Sequence, residues 1–158
     1  MTRNEWILAL LGAHRPERCL ALRHDGPPPG LTLPDAYAPV EWRHGAVTLA
    51  ALESAGRYDL AILVDQLEFM AAIDRRHLLV RLRDLHARRV AVCMAATDAG
   101  EWTASEWRAL QLEPGEQLEE PGARYVTYQF DLAAYNPERS WNTPEHWANP
   151  ASFDRYRW

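Results

Sequence analysis

Tyr58-Asp59-Leu60-Ala61-Ile62-Leu63-Val64-Asp65-Gln66-Leu67-Glu68-Phe69-Met70 holds an unbroken apolar run, Leu60 to Val64, closed by Asp65. A strand apolar on both faces belongs in the middle of a parallel sheet, covered above and below. Downstream, Asp74 is placed to cap a helix reaching about Ala87, with Leu78, Leu79, Leu82 and Leu85 on one stripe. Arg89–Met94 repeats the buried-strand pattern, with Val-Ala-Val-Cys-Met at its core. Strand, helix and strand in this order form the unit of a parallel α/β sheet.

Working outward, Thr103 and Glu106 form a capping-box pattern ahead of Trp107 and Leu110. Residues 116–119 and 124–130 read as an antiparallel hairpin around Pro121-Gly122. Upstream, Arg18–Arg23 reads as a short buried strand, and Val40–Arg43 can form another short strand. Between them, residues 24–39 contain five prolines and two glycines and read as loop. Ala46–Ala55 reads as a small helix stopped by Gly56. At the N-terminus, Asn4 can cap a helix with Trp6, Ile7, Leu10 and Leu11 on one face and Gly12 just past its end.

The 158 residues fit one domain with a core of its own. All 17 basic residues are arginine, so no lysine chemistry is available, neither a Schiff base nor a phosphate-loop lysine. A net charge of −5 predicts no whole-chain attraction to nucleic acid or an anionic membrane. Residues 74–90 carry six arginines, but they flank the leucine stripe with Asp84 outward, as arginines do when their stems cover a core edge. Cys19 and Cys93 sit in separate apolar runs, which argues against a disulfide framework and makes a reducing cytoplasm the default. No apolar run approaches the ~18 residues a membrane span needs. The six histidines show no metal-ligand spacing.

Residues 58–70 resemble the fourth strand and adjoining turn of class I S-adenosylmethionine-dependent methyltransferases, which read Tyr/Phe-Asp-Leu, an apolar run, then Leu-Glu-His. The Leu-Arg-Asp-Leu-His helix and the Arg-Val-Ala-Val-Cys-Met strand are similar to the next helix and strand of that family, and 103–130 to its last helix and final strand pair. The resemblance implies a three-layer, Rossmann-like α/β domain: a mostly parallel sheet with a C-terminal antiparallel hairpin. It spans residues 1–132, with 133–158 packed on it as a tail.

The chain departs from that family at the methyl-donor site. The family's glycine-rich turn after the first strand lets the backbone approach the cofactor. Here it reads His24-Asp25-Gly26-Pro27-Pro28-Pro29-Gly30, and three prolines remove three donors. The 40 residues from Arg18 to Tyr58 leave room for one extra strand and helix, given about 30 per βαβ unit. The first half is therefore expected to be truncated. Ligands in open α/β sheets bind at the carboxyl ends of the strands. That makes Asp65, Gln66 and Glu68, with Asp25 and Gly26 beside them, the candidate cofactor-binding residues; their plainer alternative is loop capping.

The tail carries three echoes of a capping residue, a proline and an aromatic: 136–141, 142–147 and 149–153. Trp141, Trp147, Phe153, Tyr156 and Trp158 are candidates for partner binding, for a strap over the chain's own sheet, or for a lid. The expected function is a non-catalytic, methyltransferase-like binding or regulatory module for a protein partner or small ligand. No cofactor or catalytic residue is predicted. The alternatives are an active atypical methyltransferase using S-adenosylmethionine, and a homodimer built on the tail.

Overall fold

The computed structural model describes residues 1–45, 52, 56–135, 145 and 149–152. Six strands form one sheet: β1 (Cys19–Leu22), β2 (Val40–Arg43), β3 (Tyr58–Val64), β4 (Ala87–Ala95), β5 (Glu113–Glu120) and β6 (Ala123–Asp131). Their order is β2-β1-β3-β4-β6-β5. β2, β1, β3 and β4 run parallel, while β6 lies antiparallel to β4 and to β5. Among the described residues, the sheet beyond β1 holds the single short strand β2. The connection from β1 to β2 contains no helix, as five prolines in residues 24–39 require. This is the α/β architecture expected from residues 58–94, with the shortened first half.

Both sheet faces are covered, so β3 is buried along almost its whole length. One face packs on α1 (Arg3–His14) through Trp6, Ile7, Leu10 and Leu11, and on Leu31, Leu33 and Tyr37 of the proline-rich connection. The other face packs on α2 (Ala72–Arg81), on Leu52, and on Trp107 and Leu110. Two one-turn helices, α3 (Ala96–Ala99) and α5 (Leu132–Tyr135), flank α4 (Ala104–Ala109). The Thr103–Glu106 capping box opens α4 as expected. Trp107 lies between Trp102 and Tyr128, with ring centroids 4.3 and 3.9 Å away. Arg75 covers the outer face of Trp102 at 5.1 Å.

Three local expectations are corrected. Thr2, not Asn4, caps α1: its hydroxyl accepts the Glu5 N–H and its own N–H donates to the Glu5 carboxylate. Gly12 therefore lies inside the helix, which ends at Arg15 with φ +40°. At Gly12 a Cβ would come within 3.1 Å of the Tyr37 hydroxyl, so the glycine lets the connection pack on α1. Asp74 is in the first turn of α2 rather than at its cap, which is Ala71. Leu85 is 52% exposed instead of completing the leucine stripe. The cause is a π-turn over Leu82–His86, which adds a residue to the last turn and rotates Leu85 out while His86 turns in.

The arginines after residue 74 have near neighbours for their heads. Arg76 pairs with Glu106, Arg83 with Asp84 and the Leu110 carbonyl, and Arg89 with Asp131. Most of Ala46–Ala55 and the rings of Trp141, Trp147, Phe153, Tyr156 and Trp158 lie outside the described residues. Within the third echo, Pro150–Ser152 forms a 3-10 turn, with the Ser152 N–H on the Asn149 carbonyl. No helix among the described residues is long and apolar enough to cross a membrane.

Candidate functional site

The carboxyl ends of β1, β2, β3 and β4 share one edge of the sheet, and all five candidate cofactor residues lie there. Asp65 follows β3 directly and adopts φ +47°, an uncommon conformation that aspartate tolerates better than most residues. Its carboxylate is held by two arginines. One is Arg3, from the first turn of α1; the other is Arg23, immediately after β1, whose Nε donates at 3.3 Å. β1 and β3 are paired with Leu22 opposite Leu63, which sets Arg23 level with Val64, one residue before Asp65.

Arg3 also binds the end of β5. Its backbone N–H and its guanidinium both donate to the Glu120 carboxylate, at 2.8 Å each, and its guanidinium lies 4.2 Å from the centre of the Tyr125 ring. The hydrogen bond from Arg3 holds the Glu120 carboxyl below its usual range. Burial works against charge on Arg3, but Glu120 and Asp65 outweigh it and raise its pKa. One side chain thus ties the N-terminus, the central strand and the final hairpin.

The other candidates point elsewhere. Gln66 is buried, and its Nε2 lies 3.3 Å from the Gly45 carbonyl in the loop after β2. Its Oε1 is buried without a hydrogen-bond partner among the described residues. Glu68 accepts the Ala95 N–H at the end of β4, at 2.9 Å, while its second oxygen is buried with no hydrogen-bond partner among the described residues. Burial raises its pKa, helped by Asp65 and Asp98 and opposed by the backbone hydrogen bonds. Asp25 extends into solvent, 3.9 Å from Arg23. Gly26 accepts a hydrogen bond from Arg23 through its carbonyl and has φ +84°. A Cβ there would meet nothing within 4 Å, so the backbone conformation requires this glycine and a close approach does not.

Asp65, Gln66 and Glu68 therefore diverge onto three different partners: two arginines, the β2 loop and the β4 loop. Arg3, Arg23, Glu120 and Tyr125 complete the edge and were not among the candidates. A cleft of about 380 Å³ remains at this edge, lined by Arg3, Arg23, Asp65 and Glu120 with Pro28, Pro29 and Pro121. A larger cavity, about 600 Å³, lies at the other end of the hairpin, beside the β5 irregularity between Pro114 and Gln117. No group of three or more His, Cys, Asp or Glu among the described residues could hold a metal ion. Both thiols are buried and free, and burial pushes that of Cys19 up to about 12.

This strand order, with helices on both faces and the last hairpin antiparallel, is a methyltransferase-like fold. The structure superposes on the methyltransferase domain of bacterial CtHen1-C with TM-score 0.55 and 9% identity, over 82% of this chain and 97% of that one. It superposes on magnesium protoporphyrin IX methyltransferase from Synechocystis PCC 6803, solved with bound S-adenosylmethionine, with TM-score 0.56 and 16% identity, over 80% of this chain and 76% of that one. By sequence, the chain belongs to the Family of unknown function (DUF6231), which it matches over residues 1–158. No curated protein matches it.

Proposed function

We propose that this chain is a methyltransferase-fold protein that does not transfer methyl groups and serves as a binding or regulatory module. The observation that carries the reading is the pairing of Asp65 with both Arg3 and Arg23. To take a cofactor, Asp65 would have to give up two charged donors, and charge-assisted hydrogen bonds are the strong ones. The connection after β1 adds to this. Its prolines withhold backbone N–H groups where the fold's glycine turn would offer them, and no helix N-terminus follows β1 to support a charged ligand. The residues present do not fit S-adenosylmethionine.

The carboxyl edge is then a surface for a partner or a small ligand. A thermal-shift titration tests the loss of the donor site. A ligand at a hundred times its Kd stabilises by about 2.7 kcal/mol, which raises Tm by several degrees in a domain of this size. With millimolar S-adenosylmethionine or its demethylated product, the melting curve is expected to stay in place. A dose-dependent rise that Asp65→Ala removes in a folded protein would overturn the loss of the donor site, and turnover of a labelled methyl donor would then establish the active, atypical methyltransferase.

A further inference from the structure

The sheet ends in two unlike edges. β5, the outer strand of the final hairpin, is interrupted between Pro114 and Gln117 and carries Glu113, Glu116, Glu119 and Glu120. A proline, a bulge and charges of one sign all keep a further strand from adding to an edge. β2, at the other edge, reads Val40-Glu41-Trp42-Arg43 and pairs with β1 alone among the described residues. It has neither proline nor bulge, and its two charges are of opposite sign. The direction of its backbone groups follows from two bonds. The Arg43 carbonyl accepts the Arg23 N–H at 3.1 Å, and the Gly45 N–H donates to the His24 carbonyl at 2.9 Å. Alternation along the strand then turns Glu41, Arg43 and Gly45 towards β1, and Val40, Trp42 and His44 away from it. Side chains alternate as well. Val40 and Trp42 pack, half-buried, on the α1 face. Glu41 lies on the opposite face, where it accepts the Tyr58 hydroxyl at 2.7 Å and holds Arg43 at 2.6 Å.

We propose that the β2 edge docks a second copy of this chain, strand to strand and antiparallel, about a two-fold axis through Trp42. Such an axis sets residue 42 opposite itself, 41 opposite 43, and 40 opposite 44. Positions 40, 42 and 44 are those whose N–H and C=O groups face outward, so these pairs exchange the backbone hydrogen bonds. Glu41 of each copy then meets Arg43 of the other at the closer, non-hydrogen-bonded positions, where opposite charges attract. The two Trp42 rings come together on the α1 face and cover each other. Other axes lose these matches. One through Glu41 or Arg43 sets like charges face to face, and one between Glu41 and Trp42 sets an outward-facing group against an inward-facing one. The strand thus complements its own reversal, and complementary charge selects the partner. The inference is independent of the binding-module reading, since it uses neither Asp65 nor the cleft beside it.

Sedimentation equilibrium of the full chain is expected to show a reversible dimer. Glu41→Arg alone, or Arg43→Glu alone, sets like charges against each other at both pairs and weakens association about tenfold or more. The doubly reversed variant, Glu41→Arg with Arg43→Glu, restores it. Mixing the two single variants is expected to give a heterodimer, because the arginines of one then face the glutamates of the other; a variant that had merely lost its fold would not be rescued in this way. Trp42→Cys is expected to oxidise to a covalent dimer, since a Cα separation of about 5.5 Å at a hydrogen-bonded pair lies within disulfide reach. Glu119→Cys, on the β5 edge, is not. A chain that stays monomeric at millimolar concentration overturns the proposal, as it would if residues 136–158 covered the edge. So does a dimer that both single reversals leave unchanged, which would put the contact elsewhere, as in a dimer built on the tail. None of these outcomes bears on whether S-adenosylmethionine binds.

Discussion

The sheet has two unlike halves. From β3 outward to β5, strands of seven to nine residues pack under a capped helix and a stack of three rings and a guanidinium. From β1 outward to β2, two four-residue strands are joined by a proline-rich connection without a helix. The β3–β5 half carries the long strands of the methyltransferase-like fold, and the β1–β2 half is the shortened one.

The contrast predicts where substitutions hurt most. Trp107→Ala removes the middle ring of the stack and should cost about 3–5 kcal/mol, measured by denaturant unfolding. Leu31→Ala, on the half-buried proline-rich connection, should cost clearly less, because its side chain is only partly withdrawn from water. Equal losses would erase the distinction between the halves. Next comes Arg3→Ala, expected to cost about 1.5 kcal/mol by stripping charge-assisted hydrogen bonds from Asp65 and Glu120, at the low end because Arg3 is partly solvated.

Two carboxylates at this edge should respond to pH with opposite signs. Glu120 titrates below its ordinary value of 4.5 because of Arg3, so its contribution is present above that value and is lost as pH falls through the depressed one. Glu68 titrates above 4.5 because of burial, so its contribution is full below 4.5 and is lost as pH rises through the raised one. Unfolding free energies across pH should show Glu68→Gln flattening a slope just above 4.5, and Glu120→Gln flattening one below it. A shared sign would break the account. The smallest expected signal is chemical. Cys19 and Cys93 should resist thiol reagents until the protein unfolds, because burial raises both thiol pKa values.

Much of this was legible in sequence because it is local. The run Leu60–Val64 admits one environment, and Thr103 with Glu106 satisfy each other within a single turn. Five prolines in residues 24–39 announced a connection without a helix. The π-turn was not legible, since one inserted residue changes which side chains face the core without changing the leucine spacing. Of the edge network, Arg23 beside Asp65 follows from pairing two charges that each end a parallel strand. Arg3 with Glu120 joins residues 117 apart in the chain, and only the folded hairpin brings them together. The candidates at 65, 66 and 68 shared an address but not a direction, which adjacency in sequence cannot reveal.

The central claim is that the paired Asp65 and the rigid connection after β1 leave no methyl-donor site. Isothermal titration of the full chain with S-adenosylmethionine and with its demethylated product tests it directly. Neither is expected to give saturable heat. Micromolar binding of either, abolished by Asp65→Ala in a folded protein, would contradict the account.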